Sequence, residues 1–84
     1  MRHARPDDLE PLTDLLASLR ELDGLVEKSP GTFYRKSKGF LHFHIDPAGI
    51  FADLKVGDHF ERYRATTKAE QRKVLTRARH LTRP

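Results

Sequence analysis

The chain contains no cysteine. That excludes a disulfide staple, a thiolate nucleophile and sulfur metal ligands, and with them cysteine-based zinc fingers and thiol chemistry. Long apolar runs are missing too, and Met1-Arg2-His3-Ala4-Arg5-Pro6 leads into acids instead of a hydrophobic stretch. Neither a signal peptide nor a membrane span is therefore expected, and the sequence reads as a soluble, cytoplasmic protein. Gly-x-Ser-x-Gly, a Walker phosphate loop, His-Glu-x-x-His and a dinucleotide fingerprint are all absent, so no cofactor is expected and no motif points to catalysis. There is no helix-turn-helix or ribonucleoprotein motif, no repeat, no low-complexity tract and no linker.

What is present fits one small domain over residues 1–84. A chain of this length buries roughly 60–65% of the surface its unfolded form exposes, which leaves little room for a large enclosed active site. The net charge of +4 hides a division. Residues 1–27 carry three basic and seven acidic side chains, whereas residues 62–84 carry eight basic ones against the single acid Glu70. Such a division marks either an anion-binding end or two ends that attract each other, within one fold or between copies.

Two alternating runs, Phe40 to Ile45 and Ile50 to Val56, meet at Asp46-Pro47-Ala48-Gly49 and predict a hairpin with a defined register. Ile45 faces Ile50, Phe43 faces Ala52 and Leu41 faces Leu54, so one face is wholly apolar. The other face pairs His44 with Phe51, His42 with Asp53 and Phe40 with Lys55.

Leu12, Leu15, Leu16, Leu19 and Leu22 form a helical stripe over residues 8–23, with Pro11 in its first turn, acids at its start and Gly24 at its end. Leu25 to Gly31 reads as a lead-out segment broken by Pro30-Gly31. Thr32 to Lys36 reads as a strand turning through Ser37-Lys38-Gly39 into the central strand. A three-residue loop there opposes Phe33 to Phe43 and Tyr34 to His42, giving a row of Tyr34, His42 and Asp53. His59 to Thr66 reads as a charged edge strand. Thr67 with Glu70 forms a capping box for a final helix whose apolar stripe is Ala69, Val74, Leu75, Ala78 and Leu81. The expected fold is a two-layer α+β domain: a helix, an antiparallel sheet of three or four strands, and a C-terminal helix.

The segments Leu22-Asp23-Gly24-Leu25-Val26-Glu27, Thr32 to Leu41 and Ala52-Asp53-Leu54-Lys55-Val56 together resemble the front half of the MmcQ/YjbR-like family, across about residues 12–56. Asp23 stands where that family usually has proline, and Lys38-Gly39 reverses its glycine-lysine order. The resemblance implies an α+β architecture and, from the family's likeness to a double-wing fold, DNA binding. It implies no catalytic residue.

Three uses of the hairpin's second face and the basic end are open. In the first, the chain is a nucleic-acid module: Lys36, Phe40, Phe51 and Lys55 form an aromatic, basic platform for stacked bases, and Arg72, Lys73, Arg77 and Arg79 of the last helix hold phosphates. In the second, the platform is a homodimer or protein interface. In the third, His42, His44 and Asp53 hold a divalent metal or support hydrolysis, since alternate strand residues project to one side. A plain surface His–Asp hydrogen bond is the simpler alternative there, and a solvated face is the simpler alternative for the basic helix.

Overall fold

A computed structural model describes residues 1–83. In chain order it has β1 (Arg2–His3), a 3-10 segment (Pro6–Leu12), α1 (Thr13–Arg20), β2 (Leu25–Ser29), β3 (Thr32–Arg35), β4 (Lys38–Asp46), β5 (Gly49–Val56), β6 (His59–Arg64) and α2 (Lys68–Leu81). The fold is α+β as expected, but its antiparallel sheet has six strands rather than three or four, in the order β2-β3-β4-β5-β6 with β1 paired to β4. Among the described residues no helix is long and apolar enough to cross a membrane.

Pro11 explains why the first helix is split. Proline has no N–H and clashes with the preceding turn, so the chain from Pro6 to Leu12 winds as a 3-10 segment and α-helical geometry begins only at Thr13. The leucines still converge. Leu9, Leu12, Leu15, Leu16 and Leu19 pack with Phe33, Leu41, Phe43, Ala52, Leu54, Val74 and Ala78 in one core between the helices and a single sheet face. Gln71 is buried where α2 meets that core, and its Nε2 donates to the carbonyls of Pro11 and Ala65, so this polar side chain ties α2 to both neighbours.

The β4–β5 hairpin has the register expected from alternation, with Leu41 opposite Leu54, His42 opposite Asp53, Phe43 opposite Ala52, His44 opposite Phe51 and Ile45 opposite Ile50. The neighbouring β3–β4 hairpin departs from expectation. Its turn is Lys36-Ser37, both left-handed at φ 54° and 68°, rather than Ser37-Lys38-Gly39. Tyr34 then pairs with Gly39, while Phe33 pairs with Leu41, so Phe40 is an extra residue in β4. A bulge of this kind breaks the alternation locally and turns two successive side chains toward one side. Phe40 and Leu41 are accordingly both in the core, at 4% and 0% exposure. The expected row of Tyr34, His42 and Asp53 does not form, and Phe40 does not stand on an exposed platform.

Leu25–Ser29 is a strand, not a lead-out. Pro30 and Gly31, the latter at φ 76°, join Ser29 to Thr32 as the two central residues of a turn, positions that proline and a left-handed glycine suit. Because β3 pairs only with Lys38–Leu41, the far half of the same β4 edge is left for β1, where Arg2 pairs with Ile45 and His3 with His44. This pairing carries His3 onto the sheet.

Candidate functional site on the open sheet face and the basic end

The face of β4, β5 and β6 turned away from the helices carries a titratable row. His42 stands opposite Asp53, and Asp53 opposite Arg62. Arg62 Nε and Nη2 donate to the two oxygens of Asp53 at 2.7 and 2.8 Å, a two-pronged pair of the strongest kind available to a carboxylate. Asp53 Oδ2 also lies 3.0 Å from His44 Nε2, and His44 Nε2 lies 2.9 Å from His42 Nδ1. A hydrogen on His44 Nε2 suits both neighbours, since a carboxylate only accepts and His42 Nδ1 accepts in the matching tautomer. The Arg62 hydrogen bonds hold the Asp53 carboxyl below its usual range. Burial, opposed by Asp53, pushes both His42 and His44 down, favouring neutral imidazoles.

His3 completes the cluster. Its ring centroid is 4.6 Å from that of His44 and 5.6 Å from that of His42, and one nitrogen from each ring falls within a 4.8 Å set. The sequence reading grouped His42, His44 and Asp53; these are together, but His3 joins them and Arg62 occupies both carboxylate oxygens. Arg62 was legible in principle. Taking Gly57-Asp58 as a two-residue turn sets Val56 against His59 and hence Asp53 against Arg62. Nothing in the periodicity of a two-residue strand pointed to His3.

The residues read as a nucleic-acid surface fall into three places. Lys36, Lys55 and Phe40 line one cleft of about 470 Å³ at the end of the sheet, with Arg35, Lys38, Gly39, Gly57 and Leu81. Arg72, Lys73 and Arg77 line a groove along α2 beside Tyr63. Arg79 is exposed on the same helix. Phe51 lies in the histidine row, half-buried, with the Arg64 guanidinium 5.2 Å from its ring centroid. Tyr34 is likewise covered by a cation, Lys28 Nζ at 4.5 Å. Phe40, Phe51 and Tyr34 are thus each buried or covered in part, whereas Phe60, its ring 5.2 Å from that of His42, is exposed.

Comparison with family models, curated proteins and solved structures gives no match to this chain.

Proposed function

We propose that the chain is a small nucleic-acid-binding module that grips the phosphate backbone without reading sequence. The observation that carries this reading is the cleft at the end of the sheet, where Arg35, Lys36, Lys38 and Lys55 converge from β3, the turn after it, β4 and β5. Among the described residues none of the four is in an ion pair, while Arg2, Arg20, Arg62, Arg64, Lys68 and Arg77 all are. Cations kept apart from carboxylates in this way hold counterions that a polyanion releases on binding. Leu81 at the end of α2 lines the same cleft, and the exposed Arg79 lies two residues before it on that helix. The resemblance of residues 12–56 to the MmcQ/YjbR-like family points the same way. Base stacking has a reduced part, because Phe40 is buried and Phe51 is covered.

The test is fluorescence anisotropy with a labelled single-stranded oligonucleotide at 50 and 200 mM salt. Four phosphate contacts at a slope near −0.7 each weaken affinity by about 50-fold between these salts. Lys36→Ala combined with Lys55→Ala is expected to halve that slope. No binding at 50 mM salt, or binding indifferent to salt and to the double variant, overturns the proposal.

A further inference from the structure

The open sheet face holds three imidazoles that phosphate binding does not use. We propose that His3, His42 and His44 form a site for a first-row divalent transition ion of the zinc, nickel or copper kind. Imidazole nitrogen is a preferred ligand for these ions, and metal–nitrogen bonds of about 2.0–2.1 Å place tetrahedral ligands about 3.3 Å apart. His42 Nδ1 and His44 Nε2, at 2.9 Å, are already close to that spacing. They are also rigidly placed, because residues two apart on the central strand β4 project to one side of a backbone paired along both edges. His3 is exposed and sits on a two-residue strand, so its ring is free to close the remaining distance within the 4.8 Å set. The ion takes Nε2 of His44 in the tautomer that carries the ring hydrogen on Nδ1. Asp53 Oδ2, 3.0 Å from the same nitrogen and held by Arg62, places negative charge beside the cation. The exposure of His3 leaves the fourth coordination position to water.

The site is distinct from the basic cleft, so either proposal can fail alone. The experiment is isothermal calorimetry of tag-free, chelator-treated protein with zinc chloride and with nickel chloride. Saturation at one ion per chain is expected. His3→Ala, a change at an exposed position near the chain terminus, is expected to weaken binding by at least the about tenfold that loss of even an outer-shell partner brings. His59→Ala serves as the control, because His59 lies near Asp58 and Glu61 away from the cluster and offers a rival site. Zinc-induced shifts of the His3, His42 and His44 ring signals provide a readout independent of folding. Absence of saturable heat, binding unchanged by His3→Ala, or binding lost in His59→Ala overturns the inference.

Discussion

Asp53 and Arg62 face each other across β5 and β6, and both oxygens of the carboxylate are taken by the guanidinium. The pair sits unevenly: the Asp53 side chain is 10% exposed and that of Arg62 50%. Asp53 therefore depends on a partner that reaches in from solvent. Removing that partner leaves a buried carboxylate with only the histidines to compensate it.

Arg62→Ala is accordingly expected to raise the titration midpoints of His42 and His44 in metal-free protein. Arg62 lowers both by repulsion, and once it is gone Asp53 acts on them without a competing cation. The Hε1 resonances of the two rings, followed by NMR from pH 4 to 8, measure this. Midpoints that stay in place would mean that the Arg62–Asp53 pair does not control the row.

Glu27 makes stability depend on acid. Arg20 hydrogen-bonds to it, and the Gly31 N–H donates to Oε2 at 2.9 Å; these bonds, opposed by partial burial, hold its carboxyl below the usual range. A carboxyl depressed in the folded state binds fewer protons than in the unfolded chain. Its contribution is therefore complete above the ordinary glutamate value of about 4.3 and lost as pH falls through the folded value. Urea midpoints at pH 7 and pH 3 should fall closer together in Glu27→Gln than in the parent. An equal acid loss in both would remove Glu27 from the account.

Ser37 is left-handed at φ 68° with a side chain that favours other conformations. Ser37→Gly relieves a strain of about 1–2 kcal/mol, partly offset by the greater freedom of glycine in the unfolded chain, for a net gain of about 0.5–1 kcal/mol. A rise of a few degrees in Tm follows for a domain of this size. A fall in Tm would show that the turn is not under strain.

The difference between the two hairpins explains how much of the fold was legible. β4–β5 could be read because alternation runs unbroken into a turn whose Asp46 accepts from the Ala48 N–H at 3.0 Å. The start of α2 was equally readable: Thr67 Oγ1 accepts from Glu70 N, and Glu70 Oε1 accepts from Thr67 N. In β3–β4 the glycine suggested a loop position, yet two non-glycine residues took the left-handed conformations and the bulge at Phe40 shifted the register. β2 escaped because Glu27, Lys28 and Ser29 are weak strand formers, and tertiary pairing with β3 overrode that preference. Of the candidate site, His42, His44 and Asp53 followed from register alone. His3 required the long-range pairing of β1, which no local pattern carries.

Phe40 and Phe51 were assigned one role by the sequence, and the structure separates them. Phe40 is 4% exposed in the core, whereas Phe51 is half-buried on the open face beneath Arg64. Truncating a buried phenylalanine costs about 3–5 kcal/mol, a large part of the roughly 5–15 kcal/mol that holds a domain together. Phe40→Ala is therefore expected to lower Tm by about 12 °C or more at 4–8 °C per kcal/mol. Phe51→Ala leaves the apolar core intact, so its Tm should fall by much less. Calorimetric scans of the two variants side by side decide the matter. If Phe40→Ala were the milder change, the bulge that turns Phe40 and Leu41 to the same side would be wrong.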